Sequence, residues 1–271
     1  MVKNRLSIVI PARNEPYLSR TIQDLLDKAT GDIEIIAILD GYWLEPKEFS
    51  SDKRVSYVHF GVSRGMRNAI NSGYAVSNGE FIMKIDAHCM MEKGYDEVLK
   101  RDCEEKSVLV PRRWALDPEK WIIIANPKYP VDYMYLSKDL HGEVWAERNK
   151  NPNFGKQVDE LMSFQGSCWF MRVDYFRELE LMDEDHFGGF TSEAQEIGFK
   201  AWLSGGKVLV DKNTWYAHWH KTESRGYSLD RDQQEKGVAF TKRWVTEKVW
   251  DKQTLPFMSM IERFGKVPTW E

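Results

Sequence analysis

The sequence predicts an open α/β sheet with helices on its faces. Three observations carry that prediction. Short runs of branched apolar residues alternate with amphipathic stretches at helical spacing. Two of those runs end directly in aspartates, Asp40 and Asp86, and in open α/β sheets ligands gather at the carboxyl ends of strands. A chain of 271 residues with 42% hydrophobic content is long enough to bury one large core.

The elements follow in order. Residues 6–10 (LSIVI) form a β-branched run ended by Pro11, which reads as a buried parallel strand. Over residues 17–28, Leu18, Ile22, Leu25 and Leu26 repeat at helical spacing, and Gly31 stops that helix. Residues 33–39 (IEIIAIL) are a second buried strand and 55–60 a third. A helix over 65–76 leads to a fourth strand at 81–85, which runs into Asp86-Ala87-His88. Residues 111–155 are rich in Pro, Trp, Tyr and Lys and predict loops with a few short elements. Strand character returns at 164–172, a helix is expected over 192–203, and a short strand at 208–210. The tail predicts one further helix around Val238, Phe240, Trp244 and Val245.

Composition narrows the function classes. The formal net charge of −4 argues against general nucleic-acid binding but leaves room for a local basic groove. Cys89, Cys103 and Cys168 are odd in number and lack CxxC spacing, so neither a disulfide scaffold nor a cysteine zinc site is expected. No apolar run reaches the length of a signal peptide core or a membrane span, so a cytoplasmic protein without a membrane span is expected. The eleven tryptophans read mainly as core, with some as stacking platforms for bases or sugars.

Asp86 and His88 are two residues apart, so an extended backbone projects both to one side. A carboxylate and an imidazole together suit a divalent ion such as Mn²⁺ or Zn²⁺. Taken alone, the pair reads equally as a strand-end cap beside a surface histidine.

Its neighbours change that reading. The segment SRGMRNAINSGYAVSNGEFIMKIDAHC, residues 63–89, resembles the core of family 2-type GT-A glycosyltransferases. Among these it is most similar to the catalytic domain of the polypeptide N-acetylgalactosaminyltransferases, which carry D-A-H-C where others carry D-x-D. SIVIPARNE, residues 7–15, resembles the nucleotide-sugar fingerprint of that superfamily, and residues 186–206 resemble a second block. The interval from Glu193 to His218 matches the family's without a gap. The resemblance covers about residues 5–100 and 160–221; the segment between, the last fifty residues and the family's lectin domain have no counterpart.

The resemblance implies a GT-A (nucleotide-diphospho-sugar transferase) fold, with a single open mixed sheet flanked by helices. A catalytic domain is expected over residues 1–221, and the polarity and helical spacing of the tail add a lid loop and helical extension over 222–271 packed on the same domain. Asp86, His88 and His218 become the ligands of Mn²⁺ or another divalent cation such as Mg²⁺, with His220 as competitor for the third place. Pro11, Ala12, Arg13, Glu15 and Asp40 are placed around the nucleoside of a donor, taken to be a UDP-sugar. Arg64, Gly65 and Arg67, at a helix start with free N–H groups, are placed at the diphosphate, with Ala87, Gln165, Gly166, Lys221 and Arg225 completing the donor site.

Glu193 is expected to orient sugar or acceptor. Ala194 stands where inverting relatives carry their base, which implies transfer with retention. An inverting reaction with Glu196 or Asp185 as base stays open, as does a binding protein without turnover. A nucleotidyltransferase is disfavoured, because PARNEPY is not a Gly-rich phosphate loop. The acceptor stays open among a DNA base, a glycan and a protein. Arg112, Arg113 and Trp114, with Trp121 and Trp145, read either as an ordinary loop or as a grip on an anionic acceptor. The polar segment 221–228 reads either as a lid over the diphosphate or as a linker.

Overall fold

The computed structural model of the chain describes residues 1–124, 130–151, 153–221 and 227–270. The elements are β1 (Val2–Ala12), α1 (Leu18–Lys28), β2 (Ile33–Asp40), a 3-10 turn (Pro46–Glu48), β3 (Val55–Phe60), α2 (Met66–Val76), β4 (Gly79–Ile85), β5 (Cys89–Met91) and α3 (Tyr95–Asp102). The chain continues through β6 (Ser107–Asp117), β7 (Ile122–Ile123), β8 (Met134–Leu136), β9 (Gly142–Val144), α4 (Ala146–Asn149), β10 (Val158–Glu160) and β11 (Cys168–Arg172). It closes with α5 (Val173–Glu178), α6 (Glu184–Phe187), α7 (Glu193–Leu203), β12 (Lys207–His218), α8 (Arg231–Arg243) and α9 (Phe257–Arg263).

The main sheet has the order β10-β12-β6-β11-β4-β1-β2-β3. β1 pairs in parallel with β2 and β4, and β2 with β3, while β11 runs antiparallel to both β4 and β6. Both faces are covered, which is why residues 6–12 of β1 and 33–39 of β2 are apolar at almost every position rather than at every second one. Leu6, Ile8 and Ile10 point to the face that holds Leu18, Ile22 and Leu25 of α1 and Leu99 of α3. Val9 points to the other, where Ala69 and Ile70 of α2 share a core with Ile197 and Phe199 of α7. Phe240, Trp244, Phe257 and Ile261 of the last fifty residues join that second core.

Two strands are longer than the sequence suggests. β6 occupies residues where loops are expected, and β12 runs well past the short apolar stretch at 208–210. They pair in parallel from Ser107↔Lys207 to Ala115↔His218, with a register shift between Asp211 and Trp215. Pro111, Arg112 and Arg113 hide β6 in the sequence, because charged residues and proline do not read as strand interior. Helix α9 is likewise absent from the periodicity reading. No helix among the described residues is long and apolar enough to cross a membrane.

Asp211 lies buried beside that register shift. Its Oδ1 accepts the N–H of Asn213 at 2.9 Å, while its Oδ2 has no partner. Burial, with Asp102 close by, pushes the carboxyl up to about 7. The folded state therefore holds this proton more tightly than the unfolded chain, whose aspartate titrates near ~4. The stabilisation is fully present below ~pH 4 and is lost as pH rises through about 7. Asp211→Asn should flatten the fall of Tm between ~pH 5 and ~pH 8. Differential scanning calorimetry across that range checks it, and an unchanged slope would refute this account of Asp211.

Candidate functional site

A pocket opens at the carboxyl ends of β1, β2 and β4, walled on the far side by the start of α7 and the end of β12. At its floor three ligand-type atoms converge. His88 Nε2 and His218 Nε2 lie 3.1 Å apart. Asp86 Oδ2 is 3.3 Å from His218 Nε2 and 3.9 Å from His88 Nε2. Two ligands on adjacent vertices of an octahedral ion, each at ~2.1 Å, stand ~3.0 Å apart, so the three positions fit a small divalent cation with slight adjustment. Asp86, His88 and His218 are the group among the described residues with metal-ligand geometry.

Strand register makes this convergence. β5 pairs antiparallel with β12, and His218↔Cys89 is part of that ladder. The N–H of Trp219 then donates to the carbonyl of His88 at 3.1 Å. Two residues 130 positions apart in the chain are thereby held as neighbours.

The protonation states of Asp86 and His88 suit ligands, whereas His218 Nε2 carries the proton it donates to Asp86 and would shift it to Nδ1 on ligation. Glu15 Oε2 accepts from His88 Nδ1 at 2.9 Å, which places that ring's proton on Nδ1 and leaves the Nε2 lone pair facing the cluster. Burial pushes His218 down to about 3, so its ring is neutral. Burial alone would raise the Asp86 carboxyl, but Lys84 and the hydrogen bond from His218 hold it well below the usual carboxylate range. Glu15 also accepts from Lys221 Nζ at 2.6 Å. Asn14, at a φ of 53°, supplies the left-handed turn that sends Glu15 back toward the histidine.

Lys84 was not singled out from the sequence. Its ammonium donates to Asp86 Oδ1 at 2.7 Å and to the Gly166 carbonyl at 2.6 Å, and lies 3.4 Å from Glu193 Oε2. Trp169 Nε1 donates to Glu193 Oε1 at 2.8 Å. Glu193 thus faces the pocket with both oxygens engaged, and burial raises its carboxyl. The loop 165–167 passes so close that a Cβ on Gly166 would stand 2.4 Å from Glu193 Oε2 and would displace that carboxylate. A lysine inside FIMKI, on the same strand face as Asp86, was the available signal.

Pro11, Ala12, Arg13, Glu15, Asp40, Gly65, Asp86, Ala87, His88, Gln165, Gly166, Glu193, His218 and Lys221 all line the pocket. Arg13 stacks its guanidinium 4.2 Å from the ring centre of Tyr227. Asp40 accepts from Ser63 Oγ at 2.7 Å and from the N–H groups of Arg64 and Gly65 at 2.6 and 3.1 Å. It therefore anchors the entry to α2, and about one of its roughly four acceptor positions is left for a ligand. Met66, Ala69, Ser167, Phe190, Trp219, Tyr227 and Leu229 also line it and were not foreseen as site residues.

Several expectations are corrected. Arg67 is fully buried in an ion pair with Glu196, so it does not reach a diphosphate. Glu196 also binds Lys200 and the N–H of Asp183, which removes it as a base. Asp185 is exposed on α6 and does not line the pocket. Arg64 turns outward over Phe60, because its backbone N–H is drawn to Asp40.

The expected Arg112–Arg113–Trp114 grip is absent from the pocket wall, because all three are committed within β6. Arg112 forms a two-pronged pair with Asp132. Arg113 is buried against Gln165 and His220, so His220 Nε2 turns to that guanidinium rather than to the cluster. Trp114 packs with Trp121 and Trp215 in a small side core, and Trp145 is interior. Arg225 and residues 222–226 of the expected lid at 221–228 lie outside the described residues.

Comparison with known proteins follows from this geometry. The model of the family described as "Glycosyl transferase family 2" matches residues 7–180. An uncharacterized glycosyltransferase of Haemophilus influenzae is 23% identical over 187 residues, 65% of this chain and 54% of the relative. Polypeptide N-acetylgalactosaminyltransferase 11 of Xenopus tropicalis is 24% identical over 224 residues, 75% of this chain and 36% of the relative. The chain thus spans about half or less of the length of these curated relatives. The crystal structure of GalNAc-T7 with UDP, GalNAc and Mn²⁺ superposes with a TM-score of 0.67 at 19% identity, covering 88% of this chain and 48% of that one. S. aureus TarS 1-349 in complex with UDP-GlcNAc gives a TM-score of 0.58 at 10% identity, covering 91% and 68%. The fold is GT-A.

The Arg67–Glu196 pair gives the site's structural test. Glu196→Ala leaves two buried cations without their carboxylate and should cost about 3–5 kcal/mol in urea unfolding. Arg67→Met and Lys200→Leu combined with Glu196→Leu should recover most of that loss, since no unpaired buried cation remains. A cost below about 1 kcal/mol for Glu196→Ala, the level of a surface pair, would show that the pair does not hold the site.

Proposed function

The chain belongs to glycosyl transferase family 2, and from that membership we propose that it moves a sugar from a UDP-sugar to an acceptor with retention, assisted by a divalent cation. The observation that carries the reading is the meeting of Asp86, His88 and His218 in a pocket that also holds the nucleotide-type loop and Glu193. The solved relatives bind UDP with GalNAc and Mn²⁺, or UDP-GlcNAc, and this supports the same donor class here.

Asp86, His88 and His218 would hold Mn²⁺ or Mg²⁺, which when bound neutralises charge on the departing diphosphate. The remaining chemistry belongs to the chain. Pro11, Ala12 and Arg13 wall the nucleoside end, and Asp40 has acceptor capacity left for a base N–H. Gly65 opens α2 beside the pocket, and helix N-termini favour phosphate. Glu193 faces the sugar position and accepts from its hydroxyls.

Retention is supported by the state of the carboxylates. The four that line the pocket among the described residues are Glu15, Asp40, Asp86 and Glu193. Each is engaged by protein donors: Glu15 by His88 and Lys221, Asp40 by the 63–65 loop, Asp86 and Glu193 by Lys84. Ala194 carries no carboxylate. With no base poised, the acceptor O–H proton passes to the leaving phosphate oxygen as the new glycosidic bond forms on the same face of the sugar.

The reading is tested by UDP release from UDP-hexoses and UDP-N-acetylhexosamines with and without Mn²⁺. Release that requires Mn²⁺ and falls by at least ~100-fold in His88→Ala is expected; release that is indifferent to Mn²⁺ would remove the cation. NMR of the anomeric proton in the product should give the donor's configuration, and the opposite configuration refutes retention. Glu15→Gln should weaken Mn²⁺ binding about 10–100-fold in isothermal titration calorimetry, because it loses the carboxylate that fixes the His88 tautomer.

A further inference from the structure

Lys84 is the one charged residue in the apolar strand FIMKI, and its side chain is 1% exposed. Its contacts tie three separate pieces of chain together: Asp86 after β4, Gly166 in the loop before β11, and Glu193 at the head of α7. Three N–H bonds are all that an ammonium has. The nitrogen is therefore fully committed and fixed in place, and it does not reach out to a ligand.

The two oxygens of Asp86 consequently face different ways. Oδ1 is held by Lys84 at 2.7 Å, while Oδ2 is the atom near both imidazoles. For Asp86 to grip a cation with both oxygens, the Lys84 contact would have to break in the interior, where leaving an ion unpaired is expensive. We infer that Lys84 sets which cations this site accepts, by restricting Asp86 to a single coordinating oxygen. The inference rests on the cation reading proposed above.

The consequence is selectivity. Ca²⁺ collects six to eight oxygens at 2.3–2.6 Å and commonly takes carboxylates through both oxygens, whereas Mg²⁺-sized ions take one oxygen each at about 2.0–2.1 Å. A site with two imidazoles and a one-oxygen carboxylate supplies three protein donors in a tight triangle, which suits Mn²⁺ and starves Ca²⁺. Lys84 is a positioning residue, since it acts on the cation through Asp86. Its own positive charge repels any cation nearby, so total affinity mixes two opposing effects. The ratio of affinities for two ions of equal charge cancels the repulsion and isolates the geometric one.

The test compares Mn²⁺ and Ca²⁺ binding to the full chain. Free Mn²⁺ is followed by electron paramagnetic resonance, and Ca²⁺ by competition against it. Wild type should prefer Mn²⁺, and Lys84→Met should shrink that preference by about tenfold or more, as Asp86 becomes free to chelate. Lys84→Arg, which keeps a cation on Oδ1, should restore much of the preference. If Lys84→Met does not fold, the double variant Lys84→Met/Glu193→Gln removes the carboxylate left unpaired, and is compared with Glu193→Gln alone. A Mn²⁺/Ca²⁺ ratio unchanged on loss of Lys84, in a wild type that does bind Mn²⁺, overturns the role of Lys84 and leaves the cation reading standing. Failure of wild type to bind either ion overturns the cation reading and this inference with it.

Discussion

A carboxylate taken out of water must find donors to replace the water it loses, and at the head of α7 those donors are cations that organise one wall of the pocket. Glu193 and Glu196 lie one turn apart on α7, and both are buried. Each is met from a different element: Glu193 by Lys84 of β4, Glu196 by Arg67 of α2 and Lys200 of its own helix. The head of α7 is thereby pinned to the sheet and to α2 at once. An unpaired charge at any of these places would cost several kcal/mol, so the pairs fix the angle at which Glu193 enters the pocket. The same economy reaches Asp86, which shares Lys84 with Glu193.

Sheet topology supplies the second half of the site. β4 delivers Asp86 and His88 from one direction, and β12 returns to place His218 against β5. β11 lies antiparallel between β4 and β6, so its leading loop brings Gln165, Gly166 and Ser167 over the end of β4. The N–H of Asp86 donates to the Ser167 carbonyl at 2.9 Å, which closes that loop onto the aspartate. Close approach of backbone is used twice. Gly166 passes against Glu193, and Gly65, at a φ of 92°, packs on Gly189, where a Cβ would come within 2.9 Å of its Cα.

Within that frame the arginines divide by environment rather than by sequence neighbourhood. Arg13 stacks on Tyr227 at the pocket, Arg64 faces outward over Phe60, and Arg67 goes inward to Glu196, although Arg64 and Arg67 lie on one short segment. Arg113 is buried against neutral partners, Gln165 and His220, and burial lowers its pKa from the usual guanidinium value. A guanidinium read as free in a sequence is therefore uninformative until its burial is known.

The sequence by itself determined the alternating strands and helices of residues 6–85, since period and β-branching are local properties of 6–10, 33–39 and 81–85. Asp86, His88, Glu193 and His218 were picked out as a set by the resemblance of residues 63–89 and 186–206 to a known family, with His220 left as competitor; spacing alone did not single them out. Only the tertiary structure decided what each charged side chain does. Lys84 was passed over because one lysine in an apolar strand carries no sign of its partners, which come from 2, 82 and 109 residues away. Arg67 and Glu196 looked available because sequence does not report burial, and 129 residues separate them. β6 was unreadable for the same reason: Arg112 and Arg113 are tolerable inside a sheet only because Asp132 and Gln165 arrive from elsewhere. Local periodicity is written in neighbouring residues, but the pairing of buried charge is a long-range condition that the chain satisfies only when folded.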